Sequence, residues 1–394
     1  MASLAFDGAE YAARIERAQA ALNKARLDAL LVTSPENMCY LAGFATPGYH
    51  VFQALVVPAS RAPFLVVRNI EEDNVRDHAW VQRFYPINNL DDPLSALAEA
   101  CREERVDGGR IGVEVDGARQ AVTRLDLLSA ALPRTEFVPD AGIADALRAV
   151  KSEREIDYIR QAVAIAEGAM VAGARALATA RTDSEVAAAV HAELAAAGSE
   201  FTGSPPYVVE GRASERTHAQ HARRPLRPDG YVWLEVPASV QRYQGVCGRI
   251  AGTAVPKATR EFFDTSVCAL RAMLEALRPG VAAGDVDAAG RAVADRGGAG
   301  RYWRNRAAYS LGLSFPPGLG EGHIIDIKPD DPRRIRAGMV FHFIPILKIP
   351  EVGAVGCTET VLVTEDGASR LGRLDLAPLA PETADIAFLL GGLG

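Results

Sequence analysis

The sequence lacks paired cysteines, a basic tract and any long apolar run, and each absence removes a class of function. Five cysteines (Cys39, Cys101, Cys247, Cys268, Cys357) lie far apart, form no CxxC and are odd in number. That pattern excludes a disulfide scaffold and fits free thiols in a reducing cytosol. Apolar runs such as Ala29–Val32 and Phe64–Val67 fall far short of the roughly 20 residues that cross a bilayer, so no membrane span is expected. The opening segment carries Asp7, Glu10 and Glu16 where a secretory signal needs a basic start and an apolar stretch, and the expected location is the cytoplasm. The formal charge is −7, and the densest basic cluster, Arg223, Arg224 and Arg227, is interrupted by Pro225 and Pro228. A nucleic-acid footprint is therefore not expected, and the cluster reads as a solvated loop in preference to an anion site. GxGxxG, the Walker loop and the GxSxG elbow are all missing, which leaves nucleotide and serine-hydrolase readings without a starting point.

What is present is enough chain for two domains, since 394 residues exceed the usual length of one. Hydrophobic residues at 48% and charged residues at 24% are ordinary globular proportions, so disordered, collagen-like and coiled-coil readings fall away. The first part alternates helix and strand. The pattern predicts a helix over 10–27, a strand at Ala29–Val32, a turn-rich stretch over Thr33–Asn37, a hairpin of Ala54–Val57 with Phe64–Val67, a helix over Leu94–Glu104 and a strand over Arg110–Val115. A long helix is predicted to begin at Ile143 and run to about Ala180, placing the domain boundary near residue 145. Beyond it come a helix over Asp183–Ala197 capped by Thr182 or Asp183, a strand at Tyr231–Val236, and helices over Thr259–Leu277 and Asp285–Arg296. Two late strands, Met339–Ile344 and Thr360–Thr364, close a rough twofold repeat of helix pairs and strands.

His218 and His221 stand at i, i+3, a spacing that could share a metal, but no acidic ligand is near in an Arg/Pro-rich loop. A polar loop histidine and a catalytic base are the other readings.

From His218 the sequence runs through Arg223-Arg224-Pro225 and Gly230 to Val232-Trp233-Leu234-Glu235, then Arg242-Tyr243 and Arg249. This resembles the pita-bread family of creatinase, aminopeptidase P and prolidase, and within it the ectoine hydrolase branch. Tyr309-Ser310-Leu311-Gly312, Phe341-His342 with Pro345, and Thr358-Glu359 leading into Val361–Thr364 resemble the same branch. So do Asn37–Gly43 and Lys151-Ser152 with Glu155. The resemblance implies an α+β protein of two domains, a creatinase-like α/β domain over 1–145 and a pita-bread catalytic domain with pseudo-twofold symmetry over 146–394. It also implies a homodimer whose active site lies at the subunit interface, with the His50/Phe52/Gln53 loop as contributor.

Metallopeptidases of this family bind two metal ions through two Asp, one His and two Glu, and the matching places here hold Glu235, Val246, Tyr309, Ile344 and Thr358. Valine and isoleucine carry no donor atom, so the resemblance implies a site with no metal and no other cofactor. Creatinase holds its guanidinium substrate with two Glu, and Gly248 and Thr358 stand in those places. Ectoine itself is not expected either. Pro345-Ile346-Leu347-Lys348 lacks the Gly and Trp of that branch, Gly356 replaces a Glu, and the loop Phe44–His50 differs.

The expected activity is metal-independent hydrolysis of a C–N bond in a small nitrogenous compound such as a cyclic amidine or amide. Glu235, on an apolar strand, needs a cationic partner, either structurally in Arg242 or Arg249 or functionally in the substrate. The expected catalytic residues are Glu235 as nucleophile or cation anchor, His218 as base and Tyr309 as hydrogen-bonding group. Expected substrate contacts are His342, Phe341, Phe343, Tyr243, Arg249, Glu321, Glu359 and His50. Strand alternation puts Phe341 and Phe343 on one face and His342 on the other. A catalytically silent binding protein and an Xaa-Pro peptidase-like enzyme are the competing readings.

Overall fold

The computed structural model describes residues 4–88, 90–114 and 125–382. The chain divides into two compact units, Met1–Arg148 and Ala149–Gly394.

In the first unit, the sheet carries six strands among the described residues. Their order is Phe84–Ile87, Phe64–Arg68, Ala54–Pro58, Ala29–Val32, Gly109–Val113 and Thr135–Pro139. The Ala54–Pro58 strand runs antiparallel to both neighbours, and the remaining pairs are parallel. Ala29–Val32 is buried at every position, which accounts for a continuous apolar run in place of alternation. The helix Gly8–Ala25 starts where the Asp7 carboxylate accepts from the Glu10 N–H and ends where Arg26 turns left-handed. The Thr33–Asn37 stretch is not simply a turn. It opens the helix Pro35–Ala42, with Pro35 in the first turn, where no N–H is needed. The Glu114 carboxylate secures that opening by accepting from the Thr33 and Ser34 N–H groups at 2.7 Å each. Of the strand expected over Arg110–Val115, residue 115 lies outside the described residues.

The long helix expected from Ile143 is two helices, Ile143–Arg148 and Glu153–Ala176. Between them Ser152 and Glu155 form a reciprocal capping box, and the Lys151 N–H is drawn off to the Gly338 carbonyl. Alanine-rich periodicity continues across the break, which hid it.

The second unit repeats one theme twice. The helices Glu153–Ala176 and Asp183–Ala196 pack on an antiparallel sheet of Tyr207–Glu210, Val232–Val240 and Tyr243–Ala251. The helices Lys257–Ala276 and Ala283–Arg296 pair with each other. The second sheet is ordered Asp326–Ile327, Ala308–Ser310, Val340–Phe343, Glu359–Val363 and Ala368–Arg370. A bridge between Gly248 and Thr358 links the two sheets. Gly248 is required there, because a Cβ would stand 2.8 Å from the Thr358 hydroxyl and 3.1 Å from the Leu234 carbonyl oxygen. The core of the first half is aliphatic, with Val186, Val190, Val208, Leu234 and Val236 packed together. Among the described residues no helix is long and apolar enough to cross a membrane.

One member of the arginine cluster is held by a buried acid. Asp183, fully buried, accepts from the Arg224 side chain at 2.8 Å and from the Arg224 backbone at 2.9 Å, while Arg223 and Arg227 are exposed.

Candidate active site

A cavity of about 790 Å³ opens in the second unit. Glu235, at the middle of the Val232–Val240 strand, lines it. Tyr207 is its partner on one side of the sheet and Gly248 on the other. Two residues back along the strand, on the same face, Trp233 also lines the cavity. Lys348 enters from the short strand Leu347–Ile349, whose flanking residues are buried while Lys348 is half-buried. Its ammonium donates to the Ser214 carbonyl at 2.7 Å, which uses one of its three protons.

This placement strains the Glu235 carboxylate. Loss of water pushes its pKa up from 4.5 to about 7, opposed by the Lys348 charge and the Trp233 indole. Lys348 moves the other way, lowered by burial and partly restored by Glu235 and Glu215. A carboxyl that titrates near neutrality, beside an ammonium, is matched to proton transfer.

Tyr309 and His218 line the same cavity. The loop behind Tyr309 comes so close that a Cβ on Gly320 would lie 2.2 Å from its ring. The Tyr309 hydroxyl stands 2.7 Å from His342 Nδ1, and His342 Nε2 stands 2.9 Å from the Thr358 hydroxyl. His342 is fully buried, which lowers its pKa to about 3, so the imidazole is neutral. Protonated on Nδ1, it accepts from Thr358, donates to the Tyr309 oxygen and leaves the phenol proton free to point into the cavity. His218 is exposed, left-handed at φ 61° and stacked on Tyr207 with ring centroids 5.8 Å apart. His221 turns away and packs edge-on against His191 at 6.2 Å. The i, i+3 pair therefore does not converge on one point.

The other expected contacts lie elsewhere. Strand alternation turns Arg249 to the face opposite Glu235, where it is fully buried and paired with Glu359. Glu359 takes Arg370 as well, at 3.1 Å. Arg242 meets Glu200 at 3.6 Å and lies over the Phe201 ring. Neither arginine is thus the partner expected for Glu235, and the positive charge that favours its ionised form is that of Lys348. Glu321 is a buried partner of Lys151 at 2.7 Å. Phe341 and Phe343 are fully buried with rings 6.3 Å apart, and Tyr243 donates to Glu155 at 2.8 Å. None of these residues lines the cavity, and His342 acts behind Tyr309 without lining it. His50 belongs to the first unit, exposed, with Nδ1 3.3 Å from the Pro47 carbonyl oxygen.

Lys348 escaped the residue patterns, although a basic residue between Leu347 and Ile349 signals a strand with one polar face. Arg216, Arg304 and Arg306, which also line the cavity, gave no such signal.

Residues 157–365 match the model of metallopeptidase family M24, and residues 14–150 match the creatinase/prolidase N-terminal domain. The chain belongs to family M24. It has the family's two-domain pita-bread architecture. The M24 relatives include an ectoine hydrolase of Halomonas elongata, 26% identical over 395 residues, which cover 94% of this chain and 96% of the relative. The dipeptidase PepE of Mycobacterium ulcerans superposes with a TM-score of 0.80 at 25% identity, covering 95% of this chain and 99% of that one. A prolidase of Pyrococcus horikoshii gives a TM-score of 0.80 at 20% identity, covering 92% and 99%.

The M24 name raises the question of a metal pair, and the side chains do not fit one. Across the hairpin from Glu235 stands Gly248. Val246, which holds the second ligand place by the family resemblance, stands opposite Pro237 on the same hairpin, and its N–H donates to the Thr360 hydroxyl at 3.1 Å. Glu235 is left with valine, tyrosine, isoleucine and threonine at the matching positions, a set with one carboxylate. Among the described residues no three His, Cys, Asp or Glu side chains converge as metal ligands.

Proposed function

We propose that the protein is a metal-independent hydrolase of a C–N bond in a small compound, with Glu235 as the general base. The supporting observation is a carboxyl poised near neutrality inside a cavity of small-molecule size, beside an ammonium and a phenol. In this reading Glu235 takes a proton from water as the oxygen attacks the substrate carbon. The Tyr309 hydroxyl faces the oxygen that gains charge. The C–N bond then breaks as the nitrogen receives a proton from Glu235, with His218 as a second carrier at the exposed side.

The neutral alternative, a silent binding protein, gives no reason to keep a desolvated carboxylate that costs stability at neutral pH. The test is a mass-spectrometric screen of small amides, amidines and dipeptides with the full-length protein and with Glu235→Gln, after dialysis against chelator. Hydrolysis by the wild-type protein alone supports the reading. Equal hydrolysis by Glu235→Gln, or activity that vanishes with chelator and returns with a divalent metal, overturns it.

A further inference from the structure

The cavity carries a charge opposite to that of the chain. Four basic side chains (Arg216, Arg304, Arg306, Lys348) and two carboxylates (Glu215, Glu235) line it, in a protein of formal charge −7. These cations are not equally free. Arg306 is answered by Asp326 at 2.9 Å and lies 4.6 Å over the Tyr309 ring. Arg216 and Arg304 make no ion pair among the described residues, and both are exposed. Lys348 is deeper and keeps ammonium protons beyond the one given to Ser214. A cationic amidine would enter this positive field with only Glu235 and Glu215 to receive it, and Glu235 is in part protonated at neutral pH.

We propose that the substrate is a net anion, an amide whose scissile nitrogen lies near a carboxylate and which has no compensating ammonium or amidinium. Lys348 binds that carboxylate at depth, and Arg304 and Arg216 draw it in at the rim. An N-acylated amino acid has this chemistry, and a free dipeptide or a cyclic amidine does not. The proposal rests on the cavity being the hydrolytic site, yet it concerns binding and is tested by binding.

The experiment is calorimetric titration of the full-length protein with three probes: N-acetyl-L-alanine, its neutral primary amide, and protonated 2-methylimidazoline. The carboxylate binds best, and its affinity falls as salt is raised. Lys348→Met weakens the carboxylate about 10–100-fold, the worth of a charged hydrogen bond, and leaves the neutral amide within about threefold. Arg304→Ala, at an exposed position, weakens it about two- to fivefold. Glu235→Gln, which removes a negative charge, tightens the carboxylate. Thermal unfolding of each variant confirms that it is folded. Equal or tighter binding of the imidazoline, no measurable binding of the carboxylate, or a folded Lys348→Met protein with unchanged affinity overturns the proposal. Because no turnover is read, these outcomes are separate from failure of the hydrolase reading, which appears as hydrolysis by Glu235→Gln.

Discussion

Glu235 and Glu359 are both carboxylates on interior strands of the second unit, and their surroundings differ. Glu359 is fully buried and receives two guanidinium groups, those of Arg249 and Arg370. Glu235 faces a cavity, and no guanidinium group reaches it among the described residues. Lys348, the cation whose charge favours its ionised form, spends a hydrogen bond on the Ser214 carbonyl. A carboxylate with its hydrogen bonds filled serves the fold, while one left wanting them is available for chemistry. A nearby cation does not separate the two cases, whereas hydrogen-bond satisfaction does.

The sharpest break of this comparison is expected from Glu235→Gln. Turnover on the substrate found by screening should fall by about 10²–10⁴-fold, with folding intact. A variant with near wild-type turnover would place Glu235 in the same class as Glu359. The reciprocal change, Glu359→Gln, leaves Arg249 buried without its counter-charge, and stability should fall by about 3–5 kcal/mol in urea unfolding. Turnover per folded molecule should be unchanged, and a selective loss of activity would undo the distinction.

A third effect is linked to pH. The Glu235 carboxyl has a raised pKa, so between about 4.5 and about 7 the folded protein holds a proton that the unfolded chain has released. Stability from this group therefore falls as pH rises through that window, and the penalty is complete above about 7. It amounts to on the order of 3 kcal/mol. Glu235→Gln should flatten that part of the stability profile and raise the melting temperature at pH 8, and an unchanged slope would contradict the assignment. The smallest effect is expected from Tyr309→Phe. It should lower kcat by about tenfold while KM moves little, as for loss of one donor to the developing oxyanion. Equal kcat would show that the phenol proton stays on the His342 side.

Ala29–Val32 and the Phe64–Arg68 hairpin strand were legible as short apolar runs between turn residues, and the helix from Asp183 was legible from its N-cap. The nine-residue strand Tyr243–Ala251 was not, because Gly245, Gly248 and Arg249 interrupt it. Those glycines are close-contact sites, and a Cβ on Gly245 would lie 2.2 Å from the Val163 backbone nitrogen. Part of the site was legible too, since Glu235, His218 and Tyr309 line one cavity. The ion pairs were not, because which face a charged residue takes depends on register. Arg249 illustrates this, since it pairs with Glu359 on the face away from Glu235.

The Glu359–Val363 strand bears the guanidinium clamp at its first residue, and the preceding residue, Thr358, reaches His342 through its hydroxyl. Neighbouring positions on the chain thus answer to different demands, one to cohesion and one to reactivity. A replacement at Ile344, Ile346 or Tyr309 alters the wall of the cavity while the clamp beneath stays closed. Such a layout makes the lining an interchangeable part. A laboratory library confined to those three positions and Lys348 should yield many folded proteins, so that selection can search for new substrates without first repairing the scaffold.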